Sequence, residues 1–145
     1  MTIIEAINKV DTLKPNNYTH TEKIKWLSNL DGIIKKEIID THEGGKDVIF
    51  NGYDDSSDYS TQLLVPFPYD DLYIKWLEAQ IDYNNAEYGK YNNSSTAYNN
   101  AYSTFERYYN RHHMPIQTKM KFFGVAKTPE YQVANTLAKV SIEED

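Results

Sequence analysis

The amino-acid sequence predicts a mainly α-helical protein: a small helical bundle that contains a long antiparallel helical hairpin, one inserted β-hairpin and an extended C-terminal arm. Two observations predict this class. Apolar residues recur at helical spacing in successive segments, several of which follow a helix-capping signal. Nine of the 13 tyrosines lie between positions 69 and 109, in two adjacent segments of helical period. The 145 residues suit one domain at 1–115 with an arm at 116–145, and the absence of cysteine excludes a disulfide framework.

A capping signal precedes each of the first two predicted helices. Residues 2–5 have the form of a capping box and precede a short amphipathic helix that Pro15 must end. Residues 19–22 form a second capping box, and apolar residues at helical spacing then predict a helix over about 21–40. The pair Gly44-Gly45 follows, and we expect it to stop that helix because glycine tolerates the left-handed conformation.

Residues 46–65 are predicted to form the inserted β-hairpin. Two runs rich in β-branched and aromatic residues, at 46–53 and 61–65, flank an acidic turn at 54–58. Asp54, Asp55 and Asp58 could alternatively form a calcium loop. Their spacing lacks the central glycine and terminal glutamate of an EF-hand, so a hydrated turn is favoured and no metal site is predicted.

A long helical hairpin is predicted to follow. Residues 66–69 are stiff and extended, and Asp70-Asp71 stands where an N-cap belongs, so one helix should begin there and continue to about Tyr91. A break at 92–94 would reverse the chain. The returning helix has the clearest period in the sequence, and Met114-Pro115 should end it. Its repeating positions are Tyr98, Ala101, Tyr102, Phe105, Tyr108 and Tyr109.

Catalytic function is not predicted. Asp70 with Asp71, and His112 with His113, are the candidate acid–base pairs, but adjacent helical residues project about 100° apart and do not converge on one atom. Both pairs stand at expected helix ends, where their charges suit the helix dipole. The sequence has no glycine-rich phosphate loop and no zinc-protease or serine-hydrolase motif. We therefore expect no catalytic residue, no cofactor and no metal, and His20 and His42 are expected at the surface.

Charge and hydropathy limit the partners. A net charge of −6 and a pI near 5.2 argue against tight binding of nucleic acid, although DNA could slide past such a surface without sticking. No run approaches the roughly 18 apolar residues of a membrane span. A soluble protein in a cytosolic or virion setting is expected.

The tyrosines have two interpretations. Most should face the interior of a thin bundle, with their hydroxyls reaching water at its edge. Nine are many for such a core, so some are predicted to lie on a subunit interface, where tyrosine is enriched. The candidate interface residues, including apolar positions of the arm, are Tyr88, Tyr91, Tyr98, Tyr102, Tyr109, Phe122, Phe123 and Leu137.

Residues 66–115 resemble the small head–tail connector proteins, also called head completion or adaptor proteins, of tailed phages and prophages of Gram-positive bacteria. The residues that carry the resemblance are Pro68-Tyr69-Asp70-Asp71-Leu72-Tyr73-Ile74-Lys75-Trp76-Leu77, Glu87-Tyr88-Gly89-Lys90-Tyr91 and Tyr108-Tyr109-Asn110-Arg111-His112-His113-Met114-Pro115. The N-terminal helices and residues 63–65 are also similar, so the resemblance covers residues 1–115.

The resemblance implies a structural role without catalytic residues. Connectors of this family form a ring, commonly of twelve copies, that docks beneath the portal protein and offers the tail or a stopper protein a platform around the DNA channel. It implies self-association, passive contact with translocating DNA and a place in the virion neck after assembly in the host cytoplasm. The alternatives are a helical protein-interaction module or regulator and, least favoured, a small hydrolase.

The segment after Pro115 departs from the family pattern. Its periodicity is broken, with a possible strand at 119–125, a possible short helix through about Ala138, and two apolar patches. We hypothesise that this arm reaches the portal or a neighbouring subunit. Capsid attachment that survives deletion of residues 116–145 would refute the hypothesis.

Overall fold

The computed structural model describes residues 1–117 and confirms the mainly helical prediction. The helices are α1 (Ile3–Leu13), α2 (His20–Ile34), α3 (Leu72–Asn84) and α4 (Tyr88–His112). A π-helical turn, Lys35–Ile39, extends α2, and two 3₁₀ turns cover Gly45–Asp47 and Tyr69–Asp71. All of the predicted arm from position 118 onward, including Phe122, Phe123 and Leu137, lies outside the described residues.

The predicted capping box is complete at α1, whereas at α2 only one of its two hydrogen bonds is present. At α1 the Glu5 amide donates to Thr2 Oγ1 over 3.2 Å, and the Glu5 carboxylate accepts from the Thr2 amide over 3.3 Å. At α2 the Glu22 amide donates to Thr19 Oγ1 over 3.2 Å. These bonds satisfy amide groups that the first turn of a helix leaves without a backbone partner.

The core lies between α1, α2 and α3, with α4 packed along α3. One apolar side of each of α1, α2 and α3 is buried. The segment between α2 and α3 adds Leu63 and Val65 to the core. Burial of this surface is the main source of stability. The fully or almost fully buried side chains include Ile3, Ile7, Val10, Ile24, Leu27, Leu30, Ile34, Leu63, Val65, Leu72, Leu77, Ile81 and Phe105.

The predicted β-hairpin at 46–65 is wrong. The two runs do not pair with each other; the second run bonds to the N-terminus, where the Ile3 amide donates to the Thr61 carbonyl and the Leu63 amide to the Met1 carbonyl. Thr2 and Gln62 form an isolated bridge. The apolar residues of the second run reflect burial of Leu63 and Val65 against the helices, which local pattern cannot distinguish from strand pairing.

The helical hairpin is present, but its turn is not at 92–94. The chain reverses at Asn85-Ala86-Glu87, where Ala86 adopts the left-handed conformation with φ 59°. Contacts between α3 and α4 run in opposite directions along the chain, as Ser94 meets Asp82 and Tyr98 meets Trp76. Tyr88 and Tyr91, which we expected on the first helix of the hairpin, therefore belong to the second.

Position 92–94 was misassigned because this part of the sequence contains three asparagine pairs, Asn84-Asn85, Asn92-Asn93 and Asn99-Asn100. All three are poor in helix propensity, so local pattern cannot choose between them. Tertiary contact decides: the Ser94 hydroxyl donates to the buried Asp82 carboxylate over 2.8 Å, which holds residues 92–94 inside α4.

Within residues 1–117, no helix is long and apolar enough to span a bilayer.

Candidate interaction surface

The seam between α3 and α4 is aromatic and accounts for several of the tyrosines. Tyr69 stacks on Tyr108 with ring centroids 4.5 Å apart, and Trp76 meets Tyr98 at 5.0 Å. Phe105, at the middle of the seam, also contacts Tyr109 at 5.8 Å. Such offset and tilted aromatic pairs add stabilisation beyond the area that they bury. The interior interpretation thus fits these residues, whose rings are largely covered by the fold itself.

The five tyrosines predicted as interface candidates are placed in two groups. Tyr98, Tyr102 and Tyr109 are half-buried and pack against the core. Burial raises the pKa of Tyr102 to about 12, with the neighbouring Glu37 and Glu106 adding to the rise. Tyr91 is also half-buried, whereas Tyr88 is 59% exposed, so of these five tyrosines Tyr88 offers the most free aromatic surface.

Tyr88 and Tyr91 join Tyr83 in a cluster at the tip of the helical hairpin. The Tyr83 ring lies 6.0 Å from that of Tyr88 and 5.2 Å from that of Tyr91, both in edge-on geometry. Tyr83 is 53% exposed. The three rings hold one another in place and still present a large apolar area, a combination that is typical of contact sites.

A second surface is the α4 ridge, which we define as Asn92, Asn93, Thr96, Asn99, Asn100 and Thr104. All six side chains are exposed, and their spacing places them on one side of the helix. The Thr96 and Thr104 hydroxyls donate to carbonyls of their own helix over 2.8 Å. Residues 91–105 contain no charged side chain, so the ridge is polar and neutral in a chain that is otherwise one quarter charged.

A third feature is the α2–α3 groove, an open depression of about 910 Å³. Its walls come from α2, from residues 50–52 and from α3. The lining is mixed, with the rings of Phe50 and Trp76, the hydroxyl of Ser28, the amides of Asn29, Asn51 and Gln80, and, at one end, the charged side chains of Lys35, Lys36 and Glu37. Ile33, also in the lining, is 40% exposed. The groove could hold an extended or helical segment with both apolar and amide groups.

The two candidate acid–base pairs do not converge on a shared site. Asp70 accepts from the Met1 amino group over 3.1 Å, whereas Asp71 approaches Lys75 at 3.8 Å on the surface. His113 stacks on Tyr109 at 3.8 Å between ring centroids, and His112 lies against Tyr108 instead. Each member of a pair thus has its own structural partner, as expected for residues at helix ends.

The acidic turn at 54–58 is an assembly of side-chain-to-backbone bonds. The Ser56 amide donates to Asp54 over 2.9 Å, and the Ser60 amide donates to Asp58 over 2.9 Å. The Ser56 hydroxyl and then its amide lower the pKa of Asp54, and the Ser60 amide lowers the pKa of Asp58; such bonds stabilise a turn. Among the described residues, no group of three or more acidic, histidine or cysteine side chains is arranged to hold a metal ion.

His42 was expected at the surface and is buried, with 4% of its area exposed. Its Nδ1 lies 2.6 Å from the Ile38 carbonyl and its Nε2 lies 2.8 Å from the Asn110 side chain. The ring also meets that of Tyr109 edge-on at 4.9 Å. His42 thereby joins the end of α2 to the end of α4, a long-range contact that its sequence neighbours do not indicate.

Sequence pattern also missed a buried carboxylate, Asp31. It lies in the middle of α2 with no exposed area and accepts from the Tyr73 hydroxyl over 2.5 Å and the Tyr53 hydroxyl over 2.6 Å. The Leu64 amide donates to it over 3.2 Å. Burial raises the pKa of Asp31, and these hydrogen bonds oppose the rise. The network fastens residues 53–65 onto α2 and α3, which positions one wall of the groove.

Comparison of the chain with protein-family models, curated proteins and solved structures finds no match. The family named from residues 66–115 therefore stays a prediction. Within residues 1–117, the tyrosine tip, the α4 ridge and the α2–α3 groove are surfaces that can serve a partner.

Proposed function

We propose that the chain is a structural virion protein that forms an oligomeric ring joining the capsid portal to the tail around the DNA channel. The resemblance of residues 66–115 to head–tail connectors supports the assignment. The main structural support for the proposal is the burial pattern of α4: of its 25 residues, Phe105 alone is buried. One side of α4 packs along α3, and the opposite side is exposed over the whole ridge, which leaves it available for contact with other molecules.

The surface chemistry supports assembly over catalysis. The tyrosine tip offers rigid amphipathic rings, and the α4 ridge offers neutral amides and hydroxyls. Neither places an acid, a base and a nucleophile around one point, which an enzyme of the hydrolase type needs. Both suit the packing of one protein surface on another.

The charge supports passive contact with DNA. A net charge of −6 per copy repels phosphate, so DNA that passes through a ring of such chains would not be retained. A ring also requires two different surfaces on each copy, because repeated contact of one surface with another closes a cycle. The ridge and the groove are two such surfaces.

A second candidate function is that of a helical interaction module or regulator. The α2–α3 groove favours it, since a depression of about 910 Å³ with mixed lining can receive a single helix from another protein. Copy number separates the two functions. A connector is present in many copies on each portal, whereas a regulator binds its partner in one or two copies.

The decisive experiment compares particles made with and without this protein. Imaging and mass spectrometry of virions that lack it should reveal DNA-filled heads without tails that leak their genome. A supplied wild-type copy should restore tails, as should an exposed α1 variant such as Asn8→Ala, which alters neither the ridge nor the groove. Intact, tailed virions in the absence of the protein would overturn the proposed function.

A further inference from the structure

We propose that the α4 ridge of one copy lies in the α2–α3 groove of the next copy. The inference rests on the proposed function, because it specifies the contact by which neighbouring copies in the ring hold one another. The molecule that occupies the groove is thus a second copy of this chain. The same two surfaces would then be used at every junction of the ring.

The composition of the ridge is the first reason. Asparagine is less favourable than alanine in a helix by up to about 0.7 kcal/mol per residue, and four of the six ridge residues are asparagines. On a helix side that meets only water, better helix formers would serve equally well. Amides at these positions are explained if their donors and acceptors meet another surface.

The neutrality of the ridge is the second reason. Each copy carries a net charge of −6, so contact between copies must avoid placing like charges against each other. Residues 91–105 carry no charge at all. The ridge is thus the stretch of α4 that can approach another copy of an acidic protein at the smallest electrostatic cost.

The groove presents the matching chemistry. Asn29, Asn51 and Gln80 in its walls can donate to and accept from the ridge amides. Gly32 leaves open space, since a Cβ placed there would meet nothing within 4 Å. The exposed Ile33 and the uncovered part of the half-buried Trp76 can cover the apolar stems of the ridge side chains.

The length of the ridge suits a contact of this kind. Asn93 to Asn100 span about two helical turns, or roughly 10 Å. The groove is an open depression, so one side of such a helix can lie along it.

The contact is heterologous, because the ridge and the groove share no residue. Tyr98 and Ser94 bring the other side of α4 against α3, so the ridge faces away from its own α3. Each copy can consequently offer its ridge to one neighbour and its groove to another. Repetition of this contact closes a ring when the rotation between copies permits it.

Cysteine crosslinking tests the contact, since the chain has no cysteine of its own. We expect a mixture of the full-length Asn100→Cys and Gly32→Cys variants to form a disulfide-linked dimer under mild oxidation at rising protein concentration. The double variant should form a ladder of linked copies. Asn8→Cys, on the exposed side of α1, is the matched control and should link to neither. Thermal melting of each variant verifies that it is folded, and Thr96→Cys with Asn51→Cys gives an independent pair.

The crosslink is also tested in particles, where it separates this inference from the proposed function. Virions that carry both variants and retain tails should yield the same linked copies. Tailed particles in which neither pair links, or in which only two Asn100→Cys chains link to each other, would overturn the ridge-to-groove contact and leave the connector function intact. Linked copies from a protein whose loss leaves virions intact would support the contact and overturn the function.

Discussion

Helices α2 and α4 illustrate two ways in which a sequence can specify a helix. In α2, six of 15 residues are buried, and the apolar ones follow the helical period. In α4, one of 25 residues is buried, and the remaining seam-facing residues are half-covered tyrosines and small side chains. The residues of α2 are explained by the core of its own chain. Most residues of α4 are not explained by the core. The sequence of α2 therefore indicates the fold, and the sequence of α4 indicates the function.

The strongest test of this comparison is the single buried residue of α4. Phe105→Ala should destabilise the protein by about 3–5 kcal/mol, because it removes a core aromatic ring from the seam with Tyr69 and Tyr109. Thr104→Ala, on the adjacent exposed position, should change stability by only a few tenths of a kcal/mol. Urea unfolding measures both. Equal losses would show that the exposed side of α4 is also held by the fold.

The second prediction compares two tyrosines, Tyr73 in the polar network of Asp31 and Tyr102 on α4. Tyr73→Phe should cost about 1–3 kcal/mol, because it removes the hydroxyl that bonds Asp31 and accepts from the Val65 amide. Tyr102→Phe should be neutral or stabilising, since its hydroxyl is buried without a partner within residues 1–117. Urea unfolding of the two variants measures the difference. A larger loss for Tyr102→Phe would contradict the assignment of the polar network to α2.

A smaller effect is expected from the pH dependence of Asp31. Burial raises the pKa of this carboxyl in the folded state, so the folded protein binds a proton more tightly there than the unfolded chain does. The contribution of Asp31 to the free energy of unfolding should therefore increase as pH falls through the folded pKa towards the usual value of about 3.9. Asp31→Asn lacks this proton equilibrium and serves as the control. We expect the stability of the wild type relative to the variant to rise on acidification; a fall would show that the carboxylate, held by its three donors, is the preferred form.

The same comparison explains which parts of the fold could be predicted from the sequence. Capping residues and apolar period located α1 and α2 because local chemistry and core packing agree there. The period of Phe105 and its tyrosine neighbours likewise predicted the side of α4 that meets α3. The hairpin turn was misplaced because three asparagine pairs offer equal local signals and Ala86, a strong helix former, occupies the left-handed position.

The candidate surfaces were harder to predict than the helices. Tyrosine content indicated contact surface, but burial by the seam removes much of Tyr98, Tyr102 and Tyr109 from reach. The groove has residues from α2, α3 and positions 50–52, which are far apart in sequence, so no local pattern reveals it. Asp31 and His42 were missed for the same reason, because their partners Tyr73 and Asn110 lie 42 and 68 positions away.

The smallest effect on stability is expected at the ridge, and it is the most informative. Asn99→Ala with Asn100→Ala should raise the free energy of unfolding by about 1 kcal/mol, because alanine is the better helix former by up to about 0.7 kcal/mol at each of the two exposed positions. The same pair of changes should weaken self-association of the chain, measured by native mass spectrometry across a concentration series and by tail attachment in particles. Asn8→Ala in α1 is the control, with about half of this gain in helix propensity and no loss of assembly. A variant that is both more stable and fully able to assemble would show that the α4 asparagines make no contact needed for assembly. The ridge would then not differ in purpose from any other exposed helix side.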